Sequence, residues 1–347
     1  MTDRTLDRLT IGRWLAVWAA SLFLLVLIGG GTRLTESGLS ITEWNPVSGV
    51  VPPLSDASWD LAFEKYKQIP QYAQRNSGMS LGAFKSIYWW EFLHRFWARL
   101  VGVVFAVPLV WLAARRRIPR SLLPRLAALG ILMGLQGVMG WYMVASGLTE
   151  RVSVSQYRLA AHLSLALVIY LVTVWTADGL TSPRRADSAH PAEVRQRLPL
   201  VRRLQFALGL AFVTAVSGAF VAGLRAGKIY NEFPLMGAGV VPAEYGTMGS
   251  WWRNAFENPA AAQFHHRVLA ILMLVVAIGV WFSSRTAAWP ALRTRLALVL
   301  AAALIQVALG ITALVLGVPV VIGIAHQAGA LLLLTTLVVA LREASAT

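Results

Sequence analysis

The chain has no cysteine among its 347 residues. That excludes a disulfide, a thiolate nucleophile and a thiolate metal ligand, so any metal must be held by His, Met or carboxylate. Acidic side chains are scarce, with 16 Asp and Glu against 31 Lys and Arg for a net charge of +15. No dense acidic cluster is present to cage a hard cation. Charged residues of both signs make up 14% of the chain, hydrophobic ones 57%, and mean hydropathy is +0.60. This balance excludes an ordinary soluble domain and makes membrane spans the first thing to look for.

A crossing needs about 20 mostly apolar residues, because only a helix satisfies its own backbone groups in hydrocarbon. Eight segments qualify: 14–32, 93–113, 123–145, 158–178, 204–224, 264–283, 297–316 and 321–341. The expected class is therefore all-α, a polytopic membrane protein. Arginines fall unevenly between the spans. Arg4, Arg8 and Arg13 precede the first; Arg115, Arg116, Arg117, Arg120 and Arg125 lie between the second and third. Arg184, Arg185, Arg195, Arg197, Arg202 and Arg203 join the fourth to the fifth, Arg285, Arg293 and Arg295 the sixth to the seventh, and Arg342 follows the eighth. By the positive-inside rule both termini are cytoplasmic and the loops 33–90 and 225–262 face outward. The same rule accounts for the net charge, so no nucleic-acid partner is expected. The first residues, MTDRTLDRLTIGR, carry Asp3 and Asp7 and read as neither a cleavable signal nor a transit peptide. The first span is expected to stay as an anchor in a bacterial inner membrane, in contact with membrane lipid.

The two halves echo each other. EFLHR at 91–95 answers to QFHHR at 263–267, LQGVMG at 135–140 to IQVALG at 305–310, and AAHLSLAL at 160–167 to IAHQAGAL at 324–331. The outer loops match as well, NPVSGVVP at 45–52 against FPLMGAGVVP at 233–242. Each half has four spans, so both enter the membrane in one direction and an axis along its normal should relate them. The architecture expected is two tandem four-helix bundles: 1–178 with the long outer loop, a linker over 179–203, and 204–347.

Four of six histidines belong to this repeat: His94, His162, His266 and His326. Each is expected within about two turns of the outer end of an even-numbered span. An ionisable side chain there is expensive and normally faces the bundle interior with a partner. Two imidazoles from facing helices suit the axial positions of a heme iron, and the repeat implies two such sites. The Gly and Ala around the ligands leave room for a flat macrocycle, although small residues also let helices approach. His265 is turned about 100° from His266, and the repeat register selects His266. Arg95 and Arg267 each follow a candidate ligand and could pair a heme propionate or snorkel to the interface. His190, in the linker, is assigned no role. The halves differ in one position: Glu91 stands where the second half has Gln263, each three residues before the histidine. A carboxylate in one half alone points to chemistry there, as proton acceptor or charge stabiliser, with an arginine-paired helix edge as the bland alternative. In the outer loop SWDLAFEKYKQIP has apolar residues at 59, 61, 63, 66 and 69 and ends at Pro70, which predicts a short amphipathic helix on the outer surface over the first bundle, a simple interfacial helix rather than a partner site.

GGGTRLTESGLSITEWNPVSGVVPP after the first span, IYWWEFLHR, QFHHR and IAHQ together resemble the heme A synthase family, in its cysteine-less form, over nearly the whole chain. The resemblance implies oxidation of the C8 methyl of heme O to the formyl of heme A through a hydroxylated intermediate. It implies that His266 and His326 ligate a bound heme B. His94 and His162 then mark the half that takes heme O, with Glu91 as the essential carboxylate and heme O synthase as the upstream partner. Two other classes share part of the pattern. A diheme b-type cytochrome passing electrons from quinol would have the same spans and histidine pairs without needing the Glu91/Gln263 difference. A transporter would share the duplication but usually breaks its spans at the midplane. A homo-oligomer is compatible with the sequence and is not specified by it.

Overall fold

The structure, a computed structural model, describes residues 3–45, 48–149, 153–182, 191–283 and 290–345. Arg184, Arg185, His190 and Arg285 lie outside the described residues, as do Pro46 and Val47 of the first outer-loop motif and the side chains of Arg4, Arg195 and Arg197. The described residues form helices α1 (Asp3–Leu34), α2 (Asp56–Lys67), α3 (Leu81–Ala114), α4 (Leu123–Thr149), α5 (Gln156–Thr181), α6 (Pro191–Gly223), α7 (Trp251–Phe256), α8 (Pro259–Phe282), α9 (Pro290–Val315) and α10 (Val320–Ser345), with no strand among them. All but α2 and α7 are long and apolar enough to cross a membrane, eight in all. The protein is an all-α, multi-pass membrane protein.

The helices run past the apolar segments that announced them. The largest difference is at α3, which begins at Leu81 where the apolar span was expected from 93. Hydropathy marks where lipid begins, whereas a helix continues until its backbone ladder is capped. Here Ser80 supplies the cap, its side chain accepting from the Ala83 amide at 3.2 Å. IYWWEFLHR is thus helix interior, and His94 lies 13 positions after Leu81, about 20 Å at 1.5 Å per residue. His162, His266 and His326 lie six, seven and six positions into their helices, as the two-turn expectation had it. Residues 191–203, in the segment expected as linker, are the opening of α6.

Backbone contacts divide the chain into two units, one of residues 21–166 and one of 1–20 with 167–347. In the second, α6, α8, α9 and α10 pack as a closed ring, α6 on α8, α8 on α9, α9 on α10 and α10 back on α6. Asp178 pairs with Arg342 at 3.3 Å and Tyr170 shares a 2.8 Å hydrogen bond with Thr335 within the same unit. In the first unit α1 lies so close to α3 that a side chain at Gly31 would collide with the Trp90 ring. Thr32 donates to the Trp90 carbonyl at 3.1 Å, and Trp97 to that of Ser21 at 3.0 Å.

The outer-loop helix forms as expected, and its apolar face packs on α3. Ser55 and Ser58 close a capping box at its start. Trp59, Phe63 and Tyr66, with Ile69 beyond its end, are buried against Leu39, Phe84 and Tyr88, while Leu61 points away, 58% exposed. The early extension of α3 raises the aromatic wall to which α2 adheres. Phe63 and Phe84 stack at 4.9 Å and Trp59 meets Tyr88 edge-on at 4.9 Å. Phe63→Ala should cost about 3–5 kcal/mol locally. Faster proteolytic cutting between residues 68 and 80, with the spans intact, is the expected reading; wild-type protection would show that the helix is held some other way.

Candidate functional site

In the unit 21–166, His94 of α3 lies against Gly29 of α1. A Cβ there would sit 3.2 Å from His94 Nε2, so only glycine lets the helices approach over the ring. His162 of α5 meets α4, where a Cβ on Gly140 would come 3.4 Å from its Cε1. One turn away on α4, the Gln136 amide nitrogen lies 3.2 Å from His162 Nε2 and 3.1 Å from the His162 carbonyl oxygen.

Glu91, three residues before His94, is buried, and its whole carboxylate is engaged. One oxygen accepts from Ser40 Oγ at 2.7 Å and from the Ile41 amide at 2.8 Å; the other accepts from Arg95 at 2.5 Å. Arg95 in turn donates to the carbonyls of Ile41 and Glu43, each at 2.9 Å, and Arg99 to that of Asn45 at 2.7 Å. Glu91, Arg95 and Arg99 form one stripe of α3 and bind loop residues 40–45 to it. Lys65 adds a bond from α2 to Glu43 at 2.5 Å, which holds the Glu43 carboxyl below its usual range. That contribution is present above the ordinary carboxylate pKa and is lost as pH falls through the lowered one.

The other unit carries the second pair. The rings of His266 on α8 and His326 on α10 have centres 6.3 Å apart and stand nearly perpendicular, at 85°. His266 Nδ1 is 2.8 Å from Ser217 Oγ of α6. Glycine again faces each ring: a Cβ on Gly218 would lie 3.2 Å from His266 Cε1, and one on Gly310 would lie 2.9 Å from His326 Cε1. The loop contact is repeated with different chemistry. Gln263 donates to the Tyr230 carbonyl at 2.9 Å, and Arg267 donates to the carbonyls of Tyr230 and Leu235, each at 3.0 Å. His265 faces away from the pair and meets Tyr245 at 3.1 Å. Among the described residues no three of His, Asp and Glu converge as a metal cluster.

Residues 12–338 match the family model for COX15-CtaA, described as cytochrome oxidase assembly protein. The chain belongs to the COX15-CtaA family. Proteins named "Heme A synthase" are similar to it along their length. That of Rhodospirillum centenum is 50% identical over 94% of this chain and 86% of its own. Those of Nitrosomonas eutropha and Mesorhizobium japonicum are 45% and 46% identical, over 95% and 96% of this chain and 92% and 90% of theirs.

A heme fits the residues this COX15-CtaA chain presents. Two imidazoles on one metal have ring centres roughly 6 Å apart, since each metal–nitrogen bond is about 2 Å. The His266–His326 pair meets this spacing at 6.3 Å. Buried polar atoms without partners among the described residues include Nδ1 of His162 and His326, Oε1 of Gln136, Gln263 and Gln306, and Nε of Arg267, on the helices that carry or face the histidines, and Ser250 Oγ outside them. Such atoms normally find partners, so their concentration beside the histidines marks sites shaped for more than helix packing.

The structure sets His266 beside His326, as the repeat implied, and His162 beside Gln136, a contact the sequence did not announce, and the repeat missed what lines these rings. Gly29, Gly140, Gly218 and Gly310 come from the facing helices, whereas Gly329 of IAHQAGA, which should have given room beside the ligand, is filled by the Gln306 carbonyl oxygen. Gln136 and Gln306 were visible as a matched pair without a role. Ser217 was not singled out, because one serine in an apolar helix usually bonds back to its own helix, and only the neighbouring helix reveals its second contact.

Proposed function

We propose that the protein is a heme A synthase, oxidising the C8 methyl of heme O to the formyl of heme A through a hydroxylated intermediate. In net terms each stage, methyl to hydroxymethyl and hydroxymethyl to formyl, removes two electrons and two protons from the substrate, the first also adding one oxygen atom at the oxidation level of water, and an electron acceptor outside the chain takes the electrons. The observation that carries this reading is the inequality of two otherwise matched sites: a buried carboxylate, Glu91, before His94, and a neutral amide, Gln263, before His266. The names and high identity of the relatives support the same reading.

In this account His266 and His326 would hold heme B, which would supply one-electron transfer there. Arg267 keeps the second outer loop on α8 through two of its nitrogens, and Nε remains to pair a propionate. His94 and His162 take heme O in the first half. Glu91 orders loop 40–45 beside them and keeps negative charge at the substrate's edge. The halves are the products of a duplication, 1–178 and 204–347 about the linker 179–203. Both termini are cytoplasmic in a bacterial inner membrane, and heme O synthase passes on the substrate, since a hydrophobic heme is better handed over than released.

Co-expression with heme O synthase in a host without its own heme A pathway tests the activity. Accumulation of heme A is expected, and heme O that persists unchanged beside folded protein would refute it. A finer test concerns the space beside His326. Gly310→Ala puts a carbon 2.9 Å from Cε1, inside van der Waals contact, so the ring must move. Heme B content should fall by about tenfold or more; wild-type content would mean that the ring does not bind iron in this pose.

A further inference from the structure

Histidine offers a metal one of two nitrogens, and the partner of the other fixes which. In the second half Ser217 Oγ is 2.8 Å from His266 Nδ1, and its hydroxyl is donated to the Thr214 carbonyl at 2.7 Å. A hydroxyl has one hydrogen, so Ser217 accepts from the ring. The His266 proton therefore sits on Nδ1, and the lone pair is on Nε2.

In the first half the contact is made at the other histidine, His162, the counterpart of His326, and it is of the opposite kind. The Gln136 amide nitrogen lies against both His162 Nε2 and the His162 carbonyl oxygen. A carbonyl can only accept, which fixes the amide with its NH2 group toward His162 and makes Nε2 the acceptor. The tautomer is the same, but here the lone pair is already engaged by the amide, and Nδ1 has no partner among the described residues. Sequence position agrees. Ser217 precedes Gly218, which faces His266, as Ile28 precedes Gly29, which faces His94, so the hydroxyl belongs to the second half alone.

We propose that these two contacts separate a retained heme from an exchanged one: Ser217 secures His266 as a permanent ligand through its non-coordinating nitrogen, whereas Gln136 makes His162 a releasable ligand by competing for its coordinating nitrogen. The inference rests on the assignment of heme B to the second half and heme O to the first. A hydrogen bond accepted from Nδ1–H fixes the ring and raises its basicity, which tightens binding and favours ferric iron. An amide competing for Nε2 does the reverse, offering the ring a partner each time product departs. Both are positioning residues.

The test uses the purified, heme-loaded protein. Ser217→Ala should raise the midpoint potential of bound heme B, by on the order of tenfold in the oxidised-to-reduced ratio or about 59 mV for one electron, and heme B should wash out faster. Ser217→Cys, similar in volume and a weaker acceptor, should shift the same way by less; Ser217→Thr should restore the wild-type potential. Gln136→Leu should bind added heme O about five- to tenfold more tightly, the equivalent of one net hydrogen bond, and leave the heme B potential unchanged. Wild-type potential and retention in the Ser217 variants, or heme O binding that is unchanged or weaker in Gln136→Leu, would overturn the inference while leaving the synthase reading intact. Wild-type protein that holds no heme B would overturn both.

Discussion

His266→Ala or His326→Ala should strip heme B from the protein while leaving an inserted, folded chain. The two ring centres lie 6.3 Å apart on α8 and α10, and each ring would supply one ligand to the proposed heme B. Loss of an outer-shell partner alone typically costs 10–100-fold in metal affinity, so loss of a ligand should exceed about 100-fold. The surroundings give no substitute. His265 is turned away toward Tyr245, and Gln306, the polar group nearest on α9, has its carbonyl oxygen over Gly329. The heme absorbance of purified variants reads the result directly. An unchanged spectrum in either variant refutes the pairing. The corresponding His94 and His162 variants should keep that spectrum and lose conversion of heme O.

Glu91→Gln should abolish heme A formation and leave heme B in place. The substitution creates in the first half what the second already has, an amide three residues before the histidine. Gln263 works in its own setting by donating to the Tyr230 carbonyl. At position 91 the neighbours are donors: Ser40 Oγ, the Ile41 amide and Arg95. An amide accepts from fewer of them, turns its NH2 toward one, and leaves the Arg95 charge without its counter-ion. Removing one partner of a buried ion pair costs about 3–5 kcal/mol, enough to free loop 40–45 from α3. Loss of loop order and of charge therefore coincide at this residue, and Glu91→Asp separates them. Aspartate restores the charge but withdraws it by one methylene, so partial activity would assign the larger share to charge, and absent activity would assign it to loop geometry. Normal heme A yield in Glu91→Gln would remove Glu91 from the reaction.

What was legible in the sequence follows from which forces act locally. Eight apolar runs marked eight helices because hydrocarbon imposes a length and a composition on each. The histidine pairs were legible through their spacing, and Glu91 through its mismatch with Gln263. Helix ends were not, since α3 continues 12 residues before position 93 on the strength of a serine cap and an aromatic wall. The burial of α2 depends on that extension, so the amphipathic pattern alone gave the helix its apolar face but not the wall it packs on. The glycines facing each ring, and Ser217 behind His266, depend on neighbouring helices, and no periodicity within one segment announces them.

The most direct measurement is the identity of the hemes that the protein carries. Extraction from the purified, detergent-solubilised protein, with chromatography and mass spectrometry, should yield heme B together with heme O, its hydroxylated form or heme A. Heme B alone, near two per chain, would contradict the synthase reading: it would make the first half a second cytochrome site and the chain a diheme electron carrier.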